Sequence, residues 1–365
     1  MTLLLTLLLT AAAGGWAAVQ TSAGSPLGCR DQDNRLVDWY VLYKLPILKD
    51  PGSKKPVSDG YKYLYISSAS TTTETPWSMS KEPIDSQLSH PARTLAPVYK
   101  DHARTGLFYR FYNDHWPSDK SPFSYNGHAK GVLAHEGDHG FWMIHSVPKF
   151  PPAPTDGAGY SYPDGREIFG QSFLCISFST SGQDTSGQLH NQEEIRTSEG
   201  VQITTFAKSS KYNYDLYSAL VAPALKTDLH AETWRATLMS HCSGPYQVED
   251  VHYIRAITAS ETFQFKSIND HSKWAVSINP KKPWVCIGDL NRAETQMRRG
   301  GGAVCLKDDI LWETFSGALN VNPECMVVGD GGNERKRASP HGQDIRLDVH
   351  PENAKKQLSK FGPVG

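Results

Sequence analysis

Apolar residues along this chain alternate with polar ones or gather into short runs of the length that β-strands have. The clearest strand-like segments are VDWYVLYKLP (residues 37–46), YKYLYIS, TGLFYRFYND, GFWMIHSVP, FLCISF, VQITTFAK and PWVCIGDLN. Helical periodicity is rarer and is strongest in residues 216–229, which Pro223 interrupts, and in residues 308–319. Sheets with interspersed helices predict a mixed α/β (α+β) protein rather than a β-sandwich.

Two stretches interrupt this pattern and predict how the chain is divided. Residues 180–200 are polar and predict a linker between an N-terminal half, residues 29–179, and a C-terminal half, residues 201–325. Residues 326–365 are charged, rich in glycine and poor in large apolar side chains, which predicts a disordered tail. A chain of 365 residues is long enough for two such halves.

The first residues, MTLLLTLLLTAAAGGWAA, form a short apolar run followed by small residues. This pattern predicts a signal peptide over residues 1–23, cleaved between Ala17 and Ala23. The alternative is an N-terminal membrane anchor, but an apolar run of about 17 residues is short for a bilayer span. We therefore expect a secreted or lysosomal protein without stable membrane association.

Charge and cysteine content refine this picture. The 37 Lys and Arg residues nearly cancel the 38 Asp and Glu residues, so polyanion binding is not obvious at pH 7. The 14 histidines would make the protein strongly cationic near pH 5, unless they are ordinary surface residues. Six cysteines without a C-x-x-C spacing predict three disulfides rather than a metal site, and spacing alone leaves their connectivity open.

The most informative feature is an internal similarity. Residues 128–146, HAKGVLAHEGDHGFWMIHS, align without a gap with residues 271–289, HSKWAVSINPKKPWVCIGD. Each copy begins with His-x-Lys and continues as an apolar strand, a turn, an aromatic residue and a second strand. The copies predict two equivalent hairpins, each with its His-x-Lys pair on the first strand, both side chains on one face. Coincidence is the alternative, because His-x-Lys alone is a weak pattern.

Two such hairpins suit phosphodiester cleavage, which needs a nucleophile, an acid for the leaving oxygen and positive charge on the phosphoryl group. We predict His128, Lys130, His271 and Lys273 as catalytic residues. One imidazole attacks phosphorus, and the other protonates the leaving oxygen and then activates water. The lysines take the place of a metal ion, so neither a metal nor a cofactor is expected. One histidine must be protonated while the other is not, which predicts an acidic optimum.

Three residues at the ends of the predicted hairpins are candidate supporting or phosphate-binding groups. His145 closes the first hairpin and either contacts phosphate or is a packed strand-end histidine. Asp289 and Asn291 end the second hairpin and either orient Lys273 and His271 by hydrogen bonds or belong to an ordinary turn.

Two basic segments each allow a functional and a purely structural interpretation. Lys44 follows an apolar strand, and a lysine at such a position is usually solvated. The run RRGGG, residues 298–302, either contacts a DNA backbone or is a turn before Cys305.

These segments, with GHAKGV, FWMIHSVPKFPP, FAKSSKYNYDLYSA, DHSKWAVS and WVCIGDLNR, closely resemble the deoxyribonuclease II family from Cys29 to Cys325. The resemblance implies a phospholipase D-like fold of two pseudo-symmetric halves, each with a central sheet flanked by helices. It also implies an acid, metal-independent endonuclease that leaves 3′-phosphate ends on double-stranded DNA. Family biology implies digestion of DNA from dying or engulfed cells in lysosomes.

The resemblance also implies residue roles. His271 matches the family's active-site histidine and His128 its partner, and by analogy with the wider fold His128 is the nucleophile of a phosphohistidine mechanism. The implied disulfides are Cys29–Cys175, Cys242–Cys325 and Cys286–Cys305. Relatives carry several tens of additional residues where this chain has only residues 180–200. Another phospholipase D-like phosphodiesterase and a catalytically impaired secreted variant therefore remain alternatives, and the oligomeric state is not predicted.

Overall fold

The structure is a computed structural model that describes residues 26–50, 53, 55–70, 77–115, 127–179, 189–234, 236–319, 325, 327–328 and 334–335. The predicted signal peptide, residues 1–23, lies outside the described residues, as does most of the predicted tail. Of the helices that the structure describes, none has the length and apolarity that a bilayer span requires.

The first half consists mainly of strands. They are β1 (Cys29–Arg30), β2 (Leu36–Val37), β3 (Trp39–Lys44), β4 (Ile47–Lys49), β5 (Pro56–Asp59), β6 (Tyr63–Ser67), β7 (Ser78–Met79), β8 (Leu107–Tyr112), β9 (Gly131–Glu136), β10 (His139–His145) and β11 (Gln171–Ser179). Helix α1 spans His90–Asp101, and a 3-10 turn spans Pro154–Asp156. Ser89 caps α1, its hydroxyl accepting from the Ala92 N–H at 3.3 Å.

The second half has the same character. Its strands are β12 (His190–Arg196), β13 (Gln202–Lys208), β14 (Leu229–Thr233), β15 (Val248–Asp250), β16 (Tyr253–Ile257), β17 (Thr262–Lys266), β18 (Lys273–Ser277), β19 (Trp284–Gly288), β20 (Gly301–Lys307), β21 (Val327–Val328) and β22 (Glu334–Arg335). A π-helical turn, Tyr217–Val221, continues into α2 (Ala222–Leu225), and α3 (Glu294–Met297) and α4 (Asp309–Gly317) follow; a 3-10 turn spans Ser267–Asn269.

Two seven-stranded sheets dominate the fold and share one plan. Their orders are β7-β6-β3-β11-β10-β9-β8 and β12-β13-β20-β19-β18-β14-β15. The run β3-β11-β10-β9-β8 is antiparallel throughout, and so is its counterpart β13-β20-β19-β18-β14. Five strands of one sheet therefore have equivalents in the other.

The sheets pack against each other and share a core. Buried apolar side chains of β3 and β11, such as Val41 and Ile176, belong to the same cluster as Val276, Val285 and Val304 of the second sheet. On the outer faces, α1 packs on the first sheet and the helical segment Tyr217–Leu225 packs on the second. Because β3 is covered on both faces, all its residues are buried and its sequence reads as a continuous apolar run.

This arrangement confirms the mixed α/β fold class and both predicted helical regions. Residues 308–319 contain α4, and residues 216–229 contain the π-helical turn and α2. Helix α1 was not predicted, because Pro97 lies inside it and its first turn contains Pro91.

The described part of the predicted linker differs from the expectation. His190–Arg196 forms β12, which pairs antiparallel with β13 along its whole length. Its residues alternate between exposed and half-buried, as on an edge strand with one solvated face. This polar segment therefore extends the second sheet. In the tail, β21 pairs with β22, so these residues are not without structure.

Three disulfides join Cys29 to Cys175, Cys242 to Cys325 and Cys286 to Cys305. This is the connectivity that the family resemblance implies. The Cys286–Cys305 bridge links directly opposite residues of β19 and β20.

Candidate active site

The two His-x-Lys segments lie where strands of both sheets end. Gly131 of β9 pairs with Ile144 of β10, and Trp274 of β18 pairs with Ile287 of β19. The ungapped alignment of the two hairpins is therefore confirmed by strand register. One detail of that prediction was wrong: His128, Lys130 and His271 precede the strands, and only Lys273 is a strand residue.

Each histidine is held by a loop from the opposite half. The His128 N–H donates to the carbonyl of Gly300 at 2.8 Å, and the His271 N–H donates to the carbonyl of Gly170 at 2.8 Å. Gly300 and Gly170 immediately precede β20 and β11. At Gly170 the approach requires glycine, because a Cβ atom there would lie 2.4 Å from Oδ1 of Asp270. The two halves thus interlock reciprocally at the site.

The His128 ring is fixed in one tautomer. Its Nδ1 lies 2.6 Å from the carbonyl oxygen of Asp289, so Nδ1–H donates and Nε2 carries the lone pair of the neutral ring. Burial, reinforced by Lys130, Lys273 and Arg299, holds the pKa of His128 well below its usual range. His128 is therefore a neutral imidazole in mild acid, with Nε2 available as a nucleophile.

Two buried lysines bring positive charge to the same place. Lys130 and Lys273 are each 3% exposed. Their ammonium groups donate to the carbonyls of the paired histidines, Lys130 to His128 at 3.1 Å and Lys273 to His271 at 2.6 Å. Burial, and then the neighbouring Lys130, lower the pKa of Lys273 to about 7. Because Lys130 acts electrostatically on Lys273, a bound anion would relieve the repulsion between the two ammonium groups.

Asp114 connects the two halves by ion pairs. It accepts from Lys130 at 2.5 Å and from Arg299 at 2.8 Å, and its carboxylate lies 3.9 Å from Nε2 of His128. Burial alone would raise the pKa of Asp114, but Lys130 and Arg299 outweigh it and keep that pKa below its usual range. Arg299 reaches this position from the basic run 298–302, which is therefore part of the site. Asp114 was not predicted as a site residue, because nothing in its spacing along the chain relates it to Arg299, 185 residues away.

His271 has quite different neighbours. Its ring stacks on Phe169, with centroids 3.8 Å apart and planes 14° apart, and Trp234 lies against it at 4.1 Å. These two aromatic rings fix the orientation of the imidazole ring at the site.

Strand register makes these two environments equivalent in position. Phe169 lies four residues before Phe173, which pairs with His145. In the second sheet, Arg299 lies four residues before Ala303, which pairs with Gly288. Since residue 145 aligns with residue 288, Phe169 and Arg299 are counterparts.

Asp114 and Trp234 are counterparts in the same way. Asp114 lies two residues after Tyr112, which pairs with Gly131, the residue after Lys130. Trp234 lies two residues after Glu232, which pairs with Trp274, the residue after Lys273. The pseudo-symmetric frame thus presents ionic groups to His128 and aromatic groups to His271.

His145 is 1% exposed and packs against Phe150 and Phe173. Its Nδ1 accepts from the Val147 N–H at 3.2 Å, which leaves Nε2 protonated as a donor. Burial lowers the pKa of His145 to about 3, so the ring stays neutral in acid.

Asp289 and Asn291 lie in the loop after β19. The hydrogen bonds predicted from this loop to Lys273 and His271 stay a prediction, and the structure adds a contact to the other half, because the Asp289 carbonyl accepts from Nδ1 of His128. Burial raises the pKa of Asp289 to about 7, although the two lysines oppose this, so the carboxyl is protonated in acid. The Asn291 side-chain oxygen is buried and has no hydrogen-bond partner among the described residues.

Among the residues that the structure describes, no three His, Cys, Asp or Glu side chains come together as potential metal ligands.

Comparison with known proteins matches both halves of this site to one family. The model of the family described as deoxyribonuclease II matches residues 28–190 and 180–325, each with one His-x-Lys pair. The chain belongs to the deoxyribonuclease II family. The two matched segments overlap over residues 180–190, and the mixed α/β architecture is consistent with the phospholipase D-like fold of the family.

Relatives align over most of their length. Deoxyribonuclease-2-beta of Mus musculus is 34% identical over 336 residues, covering 80% of this chain and 91% of the relative. Deoxyribonuclease-2 of Caenorhabditis elegans is 33% identical over 352 residues, covering 79% and 91%. Plancitoxin-1 of Acanthaster planci is 33% identical over 342 residues, covering 82% and 92%.

Asp114→Asn is expected to destabilise this deoxyribonuclease II family member by about 3 kcal/mol, because it leaves the buried Lys130 without its carboxylate. The pKa of Asp114 is depressed in the folded state, so its contribution is present above the unfolded pKa of about 4 and lost as the pH falls through the folded pKa. Urea unfolding at pH 3, 5 and 7 measures this, and the difference from wild type should be full at pH 5 and 7 and smaller at pH 3.

The matched control is Asp101→Asn, which breaks a more exposed ion pair with Arg104. It is expected to change stability by less than about 1 kcal/mol. Equal effects of the two substitutions would contradict the buried-network account.

Proposed function

We propose that this protein is an acid endodeoxyribonuclease that hydrolyses double-stranded DNA to 3′-phosphate ends without a metal ion. The observation that carries the proposal is the reciprocal placement of two His-x-Lys pairs in opposite environments, ionic around His128 and aromatic around His271. The relatives named deoxyribonucleases support DNA as the substrate.

The proposed first step is attack of Nε2 of His128 on phosphorus. The P–O5′ bond breaks, the departing oxygen takes a proton from His271, and the 3′-phosphoryl group stays on His128. Lys130 and Lys273 hold the non-bridging oxygens, where positive charge stabilises the transition state. Asp289 keeps Nδ1 of His128 as the donor, so the attacking lone pair is always on Nε2.

In the second step His271, now neutral, takes a proton from a water molecule. The water oxygen attacks phosphorus, the P–N bond breaks, and His128 is released with a 3′-phosphate product. His271 therefore acts once as acid and once as base, as a two-step displacement requires.

An acidic optimum follows from these protonation states. The depressed pKa of His128 keeps it neutral and nucleophilic in mild acid, whereas His271 must begin protonated. The pKa of Lys273, about 7, means that its ammonium form is complete only below neutrality. Raising the pH through 7 therefore removes part of the charge that binds phosphate.

The proposed setting is a lysosome or the extracellular space, reached by means of a signal peptide over residues 1–23. There the enzyme would degrade DNA from dying or engulfed cells, without stable membrane association. Three disulfides support an oxidising route of maturation. Amino-terminal sequencing of protein secreted by animal cells tests this, and an N-terminus before Ala17 would contradict it.

Nicking of supercoiled plasmid between pH 4 and 8, with EDTA throughout, tests the activity. We expect a maximum near pH 5, a fall of at least about tenfold by pH 7.5, and 3′-phosphate ends. Phosphatidylcholine vesicles under the same conditions test the alternative phosphodiesterase. Cleavage of lipid without cleavage of DNA, loss of nicking in EDTA, or no cleavage of either substrate would contradict the proposal.

A further inference from the structure

Two further buried lysines occupy equivalent positions outside the His-x-Lys pairs. Lys44 ends β3 and pairs with Gln171, the first residue of β11, and Lys208 ends β13 and pairs with Gly301, the first residue of β20. Lys44 is 0% exposed and Lys208 is 4% exposed. The expectation of a solvated lysine at position 44 was therefore wrong, because the loop before β11 covers the end of the strand.

Each ammonium group binds two backbone carbonyls of one loop. Lys44 donates to Arg166 at 2.7 Å and to Glu167 at 3.1 Å. Lys208 donates to Met297 at 2.8 Å and to Arg299 at 2.7 Å. The loops, residues 166–170 and 297–300, enter β11 and β20. The two lysines thus perform the same task in the two halves, as their strand positions predict.

These loops are the ones that reach across to the opposite half. Residues 166–170 supply Phe169, which stacks on His271, and Gly170, whose carbonyl accepts from the His271 N–H. The corresponding positions of residues 297–300 supply Arg299, which pairs with Asp114 beside His128, and Gly300, whose carbonyl accepts from the His128 N–H. Lys44 is therefore linked to His271, and Lys208 to His128.

A buried ammonium group is costly unless its hydrogen bonds are satisfied, so its retention at both positions points to these carbonyl contacts. Burial lowers the pKa of Lys44 to about 7, with Glu167, Asp270 and Asp59 opposing the shift. Burial likewise lowers the pKa of Lys208, opposed by Asp215. Lowering the pH favours the charged form of both groups, in which their hydrogen bonds to the carbonyls are strongest.

We propose that Lys44 and Lys208 are positioning residues for DNA cleavage, each fixing the loop that sets the catalytic histidine of the opposite half. Neither touches the phosphate; they act through residues 166–170 and 297–300. This inference rests on the proposed function, because it assumes that His271 and His128 do the chemistry.

The kinetic test compares Lys44→Met and Lys208→Met with Lys282→Met at pH 5. Methionine keeps most of the apolar stem and removes the donor. Lys282 is the matched control, because its ammonium also donates to a backbone carbonyl, that of Lys226 at 2.6 Å, but at an exposed position. We expect kcat on plasmid DNA to fall about 100-fold in the first two variants with KM within about threefold, and the control to stay within about twofold.

An activity-independent measurement follows the ring ¹³Cε1–H signals of His271 and His128 by NMR across pH. Lys44→Met should shift the signal and midpoint of His271 and leave those of His128, and Lys208→Met should do the reverse. This crossed pattern separates positioning from general loss of structure. It can be read even if the wild-type protein does not cut DNA, in which case the proposed function fails and the positioning role is still decided.

Two results would overturn the inference: unchanged kcat in both methionine variants, or ring signals that do not follow the crossed pattern. If the methionine variants do not fold, Lys44→Arg and Lys208→Arg replace them, because they keep N–H donors but are longer and must displace the loops. A folded arginine variant whose opposite histidine keeps its wild-type signal would likewise overturn it.

Discussion

His271→Ala is expected to abolish plasmid nicking, with a loss of about 10⁴-fold or more at pH 5 in EDTA. The substitution removes both the proposed acid for the leaving oxygen and the proposed base for water, and each such role contributes roughly 10²–10⁴-fold. The protein should remain folded, because the imidazole lies between Phe169 and Trp234 at the site and outside the apolar core between the sheets. Nicking rates and thermal unfolding followed by circular dichroism measure the two parts.

His139→Ala is the control for this substitution. His139 begins β10, is exposed, and lies at the opposite end of that strand from the site. Its replacement should leave the nicking rate within about twofold of wild type, as expected for a surface position. A folded His271→Ala protein that still nicks DNA would contradict the proposed chemistry.

The second prediction with a large expected effect is that a modified DNA substrate restores the first chemical step to the His271→Ala protein. This result would distinguish the proposed roles of the two histidines. DNA with sulfur in place of the bridging O5′ atom has a leaving group that needs no protonation. His271→Ala should therefore attack this substrate at a single-turnover rate within about 100-fold of the wild-type rate on ordinary DNA. Because no base remains to activate water, the 3′-phosphoryl group should stay attached to the enzyme.

The attached group should lie on His128, whose Nε2 lone pair is left available by the Nδ1 contact with Asp289. Denaturing electrophoresis at alkaline pH, which preserves phosphohistidine, followed by peptide mass spectrometry locates it. The double variant His128→Ala/His271→Ala is the control and should form no adduct. If His128→Ala alone accumulated an adduct on His271, the proposed roles would be reversed.

Local sequence patterns were sufficient to predict most of the strands, helix α4 and the two His-x-Lys pairs. The strand segments, α4 and the paired hairpins followed from periodicity, because a half-buried or fully buried strand leaves its mark on adjacent residues. Helix α1 was not predicted, because its two prolines obscure the helical periodicity. Packing on the first sheet and the Ser89 cap stabilise it in the structure. The polar segment 190–196 was not predicted as a strand, because an edge strand needs few apolar side chains.

The groups around the histidines had no such signal. Asp114, Arg299, Phe169 and Trp234 each stand in a loop, and their equivalence appears only when the strand registers of both sheets are compared. Residue type does not reveal this equivalence, because the counterparts differ in chemistry: Asp114 corresponds to Trp234, and Arg299 corresponds to Phe169.

The amino-acid sequence alone determined the mixed α/β class, the repeated hairpins and the His-x-Lys residues, since these depend on spacing along the chain. Only the tertiary structure decided that each histidine is held by the opposite half, that His128 lies among ions and His271 among aromatic rings, and that Lys44 and Lys208 are buried. The physical reason is that protonation and tautomer depend on burial and on neighbours brought together from distant parts of the chain, which no local pattern records.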